Sequence, residues 1–355
     1  MNNMNKIFTT MLAGAILVIS ACSKNNGSGA TPTAPTTISP SVSTFAGSGA
    51  EGAVDGLKTL AEFYSPTGIA INSEGFFFVA DRQNQLIREM SALGQVVTIA
   101  GTPTTQGFSN VTDSVTFNFP SSLALDPSGN IFIADEGNRA IREFTPAGIA
   151  TTFAGSTGTF VYTFIAPAGV ATDAAGNVYV ADAGANDIIK ITAKGAITKV
   201  AGNGTSGALN GAGASASFNM PVALTVDGVG NVYVADQGNN LIRLINTQGQ
   251  VSTFAGSGTA GSANGKGTAA SFNSPSGIAI DQQGNLYVGD AGNNMIRKIA
   301  PDGTVSTLAG TGVAGANNGA LSSATFNSPT GVVVDTYDHV YVTDTNNNLI
   351  RLIVQ

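Results

Sequence analysis

A repeat constrains this chain more than any other feature. The stretch Phe272–Ile299, FNSPSGIAIDQQGNLYVGDAGNNMIRKI, is one of six copies, and nearly everything after residue 41 is a copy or a connector between copies. Aligned on the proline before the first apolar run, the copies begin at Pro66, Pro120, Pro167, Pro221, Pro275 and Pro329, at intervals of 54, 47, 54, 54 and 54 residues. The aspartate closing the second apolar run gives the same intervals, so the period is not an effect of composition. Each unit reads as a small antiparallel sheet. Ile278–Ile280, Leu286–Gly289 and Met295–Ile299 are three strands, separated by Asp/Gly/Asn turns in which Asp bonds the backbone ahead and Gly accepts positive φ. A fourth strand follows, ending in Ala-Gly, and recurs as residues 97–101, 151–155, 198–202, 252–256 and 306–310.

Copy six stops after its third strand. Its missing fourth strand stands at the other end of the protein, as Ser43-Thr44-Phe45-Ala46-Gly47. An unpaired blade edge invites edge-to-edge association. Supplying it from the N-terminal side closes a ring of six and needs no capping repeats, unlike a linear solenoid. The expected fold is therefore all-β: a six-bladed β-propeller, four antiparallel strands per blade, with strand 42–46 completing the last blade beside Asn348–Ile353.

The pattern P-x-G-hydrophobic-x-hydrophobic-D-x-x-G-N-hydrophobic-Y-V-A-D-x-x-N-x-hydrophobic-I-R, with the long AGxGxxGxxxGxxxxAxFNxP connector, resembles the bacterial form of the NHL repeat over residues 42–355. The tryptophan-bearing signatures of other propeller repeats are missing, since the chain has no Trp. Copy one departs from the pattern at Asn72 and in the turn Arg82-Gln83-Asn84. Copy three has a short connector and reads as carrying one extra residue between Asp182 and Lys190. Copy six has Asp338-His339 for Gly-Asn.

Ahead of the repeats, Lys6 precedes an apolar run, Ile7 to Ile19, and then Ser20-Ala21-Cys22. This reads as a signal peptide over 1–21, and Ile19-Ser20-Ala21-Cys22 resembles the lipobox, implying a lipid on Cys22, the chain's only cysteine. A cell-envelope location follows, in the outer membrane of a Gram-negative source. Residues 22–41 form the lipidated terminus and a polar Thr/Pro/Gly-rich tether whose 18 residues from Ser23 reach roughly 60 Å when extended. The formal charge of −7, with no basic block, argues against nucleic acid. One Cys and one His leave little metal-binding or catalytic vocabulary, and no cofactor is expected. A monomer is.

Six acid–base pairs fall in register: Asp81/Arg88, Asp135/Arg142, Asp182/Lys190, Asp236/Arg243, Asp290/Arg297 and Asp344/Arg351. A base between packed sheets is desolvated and needs an anionic or carbonyl partner, so these are expected to hold blades together. Arg82, in a connector, is expected to matter little. The turn residues Asp126, Asp173, Asp227, Asp281 and Asp335 are expected caps, and His339 falls in a turn opposite the long loops.

NHL propellers resemble in shape the gluconolactonase-like and lyase-like enzymes that place metal ligands or a catalytic His at the central channel. Here the positions after each Pro are Thr67, Ser121, Ala168, Val222, Ser276 and Thr330, none a carboxylate or imidazole. A membrane-anchored binding or scaffold module for a protein, peptide or glycan is the first expectation. A metal-dependent enzyme drawing on Glu51, Asp55, Glu62 or Asp113, and a purely structural spacer, are the alternatives. The chain enters the propeller at the start of a fourth strand, on the short-turn face, so the long-loop face is expected to work. There copies two and three break the repeat most. Phe108, Asp113, Arg139, Phe160, Tyr162 and Asp187 gather aromatics and charges suited to a binding patch.

Overall fold

A computed structural model describes residues 39–111, 114–155 and 157–355. These residues form six sheets arranged as a closed six-bladed propeller. Numbering blades by their first strand, blade 1 runs Pro66–Ile71, Phe77–Asp81, Leu86–Met90, Gln95–Gly101, and blade 4 runs Pro221–Val226, Val232–Asp236, Leu241–Ile245, Gln250–Ala255. In each blade the first strand lies innermost, and neighbouring first strands touch all the way round, blade 6 against blade 1 included. Blade 6 is completed by Ser41–Ala46, which pairs antiparallel with Leu349–Val354; Ser41 lies opposite Val354, Thr44 opposite Arg351 and Ala46 opposite Ile350.

The P-x-G signature has a steric cause. Inner strands approach so closely that a Cβ on Gly277 would stand 1.8 Å from the Thr330 carbonyl oxygen, and one on Gly331 2.1 Å from that of Thr67. Only glycine fits there. Apolar side chains fill the spaces between consecutive blades as six separate cores. Each core holds one phenylalanine of the connector signature, Phe63, Phe117, Phe164, Phe218, Phe272 or Phe326, all essentially buried.

Two local features differ from expectation. Five blades carry a fifth, two-residue strand contributed by a connector, such as Gly56–Leu57 against Gln95–Gly101. These segments are too short and too glycine-rich to announce themselves, and they cover the outer edge of the blade. In blade 2 the addition is parallel, Phe160–Val161 beside Ala150–Gly155.

Blade 3 has no inserted residue. Asp182 opposes Asp187 as Asp236 opposes Leu241, so the two turns have equal length. The residue facing Val180 is Ile189, where blade 4 has Arg243 facing Val234. Lys190 is one position further on, and in a strand that sends it to the opposite face. The expected Asp182/Lys190 pair therefore does not form. Lys190 bonds the Tyr179 hydroxyl at 2.7 Å and lies 3.6 Å from Asp173. Asp182 instead accepts the N–H groups of Ile165 and Ala166.

Candidate functional site

In the other five blades the acid and base meet in a buried knot. In blade 4, Arg243 Nη1 donates to Asp236 Oδ2 at 2.8 Å and to the Ser217 carbonyl, while Nη2 donates to the Leu209 carbonyl and Asn210 Oδ1. Asn239 donates to the same Asp236 oxygen, the Asn219 N–H to the other, and the guanidinium lies 5.1 Å from the Phe218 ring centre. Arg88/Asp81, Arg142/Asp135, Arg297/Asp290 and Arg351/Asp344 repeat this at 2.7–2.9 Å. Burial pushes the Asp81 carboxyl up to about 6 against the pull of Arg88 and the Asn84 amide. It raises Asp135, Asp236, Asp290 and Asp344 in the same direction. These groups reach neither the channel nor the long-loop rim; they tie each connector to its blade.

The channel, about 600 Å³, is lined by the six first strands. Its hydroxyls are engaged with backbone: Thr67 donates to the Ser121 carbonyl and Ser121 to the Ala168 carbonyl, each at 2.8 Å, and Thr330 to the Thr67 carbonyl at 3.2 Å. Among the described residues no three His, Cys, Asp or Glu converge as a metal would need. Asp55 is held by Arg88 at 2.8 Å and by Thr98, the role Asn210 plays in blade 4. Glu62 packs over Gly52 and Glu51 lies in the same connector, bridging to Phe63. His339 is bound to Asp335 Oδ2 at 3.1 Å.

The channel mouth on the long-loop face is where the blades differ. The residue after each second-strand aspartate reads Arg82, Glu136, Ala183, Gln237, Ala291 and Thr345 around the ring. Arg82 and Glu136 form an ion pair at 2.9 Å across blades 1 and 2, each 29% exposed, and Arg82 lies 5.0 Å from the Phe119 ring centre. Phe119 and Met220 are held with φ of 53° and 52°. Bulky residues in this conformation cost on the order of 1–3 kcal/mol, and such strain concentrates at ligand-facing positions. The cost is offset by a bond from the preceding blade: Gln85 to the Phe119 N–H and Asn186 to the Met220 N–H. Asn240, Asn294 and Asn348 make the same bond to Ser274, Ser328 and Ser65.

Arg139 occupies this stapling position in blade 2 and makes no such bond, because Asp182 satisfies the Ala166 N–H instead. Its side chain is exposed and forms no ion pair with another described residue. Beside it, the Tyr162 N–H bonds the carbonyl of Gly155, whose Cα lies against the Arg139 backbone. Asp187 begins a strand and does not sit in the turn; it is buried and pairs with Lys199 at 2.7 Å. Burial, and after it the charge of Asp187, raises the Tyr162 hydroxyl above its ordinary value.

The remaining expected patch residues are elsewhere. Phe108 lies over the Arg142 guanidinium at 5.0 Å. Phe160 packs edge-on to Phe153 and fills the space beside Gly195 that longer connectors fill with backbone. Asp113 and Cys22 fall outside the described residues. Sequence reasoning passed over Glu136, Phe119 and Met220 and gave Arg82 only a minor place in a connector. Their signal was positional: the slots after the aspartate and before the proline hold small or neutral residues in most blades.

Comparison with known proteins places this geometry in context. Residues 63–89, 117–144, 272–299 and 326–351 match the NHL repeat. Protein SUPPRESSOR OF QUENCHING 1, chloroplastic, from Arabidopsis thaliana is 28% identical over 325 residues, covering 86% of this chain and 26% of that protein. NHL repeat-containing protein 2 from Homo sapiens is 37% identical over 98 residues, 27% of this chain and 13% of that protein. The chain thus spans about a quarter or less of the length of these relatives. Among solved structures, a Bacteroides thetaiotaomicron protein of unknown function superposes with a TM-score of 0.71 at 23% identity over 89% of this chain and 76% of that one. An auxiliary nutrient binding protein from the same organism gives 0.70 at 17% identity with the same coverage. A streptogramin B lyase gives 0.54 at 13%, over 85% and 96%. At these identities the likeness is one of fold.

Proposed function

Proceeding from a closed six-bladed propeller built of NHL repeats, we propose that this protein is a binding module that takes a protein, peptide or glycan at the long-loop mouth of blades 1 to 3. One observation carries the reading. Charged and aromatic residues stand at two places on these blades, Arg82, Glu136 and Phe119 at the mouth across blades 1 and 2 and Arg139 with Tyr162 at the next connector, whereas blades 4 to 6 offer neutral side chains at the corresponding slots. Aromatic surface supplies contact area and the exposed Arg139 supplies a cation, so the ligand carries a carboxylate. The name of the auxiliary nutrient binding protein is in keeping with such a role and carries no ligand with it.

The test is an array of acidic peptides and uronate-bearing glycans, read by the rise in melting temperature that any ligand of the native state produces. Arg139→Ala and Tyr162→Ala should abolish the rise, and Lys266→Ala should leave it. Retention by both site variants, with folding intact, places binding elsewhere.

The anchor belongs to the same proposal. A lipid on Cys22, supported by the sequence Ile19-Ser20-Ala21-Cys22, would hold the module on a cell-envelope membrane. Cys22→Ser should shift the protein from the membrane fraction to the soluble one. Unchanged fractionation removes the anchor from the proposal and leaves the binding site standing.

A further inference from the structure

A groove lies on the opposite, short-turn side, and a related groove elsewhere in the ring is filled by the chain itself. A groove of about 390 Å³ opens between blades 3 and 4, with Val200, Val232 and Ile245 as apolar wall and Asp173, Tyr179 and Lys190 at its polar end. Tyr179 is nearly buried, its hydroxyl 3.3 Å from Asp173 Oδ2 and 2.7 Å from Lys190 Nζ. The Tyr–Lys combination at facing strand positions occurs in one other blade, as Tyr287 opposite Lys298 in blade 5. Elsewhere the pairs are Phe78/Glu89, Phe132/Glu143, Tyr233/Leu244 and Tyr341/Leu352.

In the groove between blades 5 and 6 the corresponding place is taken by the side chain of Gln355. Lys298 Nζ donates to its Oε1 at 3.0 Å. Its Nε2 donates both to the Tyr287 hydroxyl, at 3.0 Å, and to the Asp338 carbonyl, at 2.7 Å. Tyr287 in turn bonds Asp281 at 3.1 Å. Two repeats earlier the position of Gln355 is Thr247, an exposed turn residue too short to reach Tyr179, and that of Asp338 is Gly230, whose backbone lines the groove.

We propose that the groove between blades 3 and 4 binds a primary carboxamide, the side chain of a glutamine presented by a peptide, in the manner of Gln355. The chemistry is selective. The amide oxygen accepts from Lys190, and the two amide hydrogens answer the Tyr179 hydroxyl and the Gly230 carbonyl. A glutamate side chain has no hydrogen for either acceptor and faces Asp173. A secondary acetamide, as on an amino sugar, has one hydrogen for two acceptors. The aliphatic stem of glutamine lies on the valine and isoleucine wall. This site is independent of the channel mouth and of the proposal made for it.

The probe is acetyl-Ala-Gln-Ala N-methylamide, titrated into the whole chain and followed by the backbone amide resonances of Gly230, Thr247 and Gly249. The expected result is a saturable shift that the glutamate peptide, the side-chain N-methylated glutamine peptide and N-acetylglucosamine do not reproduce. Thr247→Gln, a change at an exposed turn that leaves folding intact, should plug the groove from within and weaken the probe by about tenfold or more. Lys190→Met should weaken it similarly. Gln355→Ala should open the groove between blades 5 and 6 and raise the stoichiometry from one to two. No saturable shift, equal binding of the N-methylated peptide or the sugar, or a titration unchanged by Thr247→Gln would each overturn the assignment.

Discussion

Each of the five buried arginines sits seven residues after its aspartate and directly after an isoleucine, and a guanidinium there has no water to turn to. Arg243→Ala should cost about 3–5 kcal/mol, since it leaves Asp236 buried and unpaired. Arg82→Ala, removing a half-exposed ion pair, should cost no more than about 1 kcal/mol; chemical denaturation of both variants measures the contrast. Lys190 misled because it is the nearest base to Asp182 in sequence. The strand register, which no spacing of charges reveals, gives Ile189 the inward position.

Glu89 and Glu143, on the same strand position in blades 1 and 2, are raised above the ordinary glutamate value by burial. Between the unfolded and folded values the native chain holds more protons than the unfolded one, so their contribution is present at low pH and is lost as pH rises through the folded value. Glu143→Gln should accordingly show a smaller fall in melting temperature from pH 4.5 upward than the parent protein. An identical slope would mean that Glu143 ionises as freely in the fold as outside it.

Among the elements, the strands were legible and the connectors were not. Alternating apolar residues between Asp/Gly/Asn turns specify four strands whatever surrounds them. A two-residue edge strand such as Gly265–Lys266 exists only because a connector passes a blade that is already formed. The shortened connector after blade 2 is a related case: its aromatics suggested a patch, and both Phe160 and Tyr162 pack partly against the core, Tyr162 on Phe164. The element with the largest consequence is Ser41–Ala46. Deleting residues 39–47 removes the Val42 and Ala46 side chains from two cores and bares the edge of Leu349–Val354. A lowered, broadened unfolding transition and concentration-dependent association are expected. Calorimetry and light scattering check them, and an unchanged transition would mean that blade 6 is self-sufficient.

At the scale of the whole molecule, sixfold repetition makes a ring whose stability is shared by all blades, so any site has to be sought where repetition fails. That principle was usable from sequence, and it pointed to blades 2 and 3. It did not find the channel mouth, because the mouth residues are far apart in the chain and become neighbours only after closure. Arg82 and Glu136 meet across 54 positions. Thr44 pairs with Arg351, so the first of the described strands is among the last to find its partner, and during synthesis it waits while five blades assemble. The entropy of closing so long a loop rises only as the logarithm of its length. Contacts this distant nonetheless slow folding, and refolding should end in a slow, single-exponential docking step, set by the search of one strand for one edge.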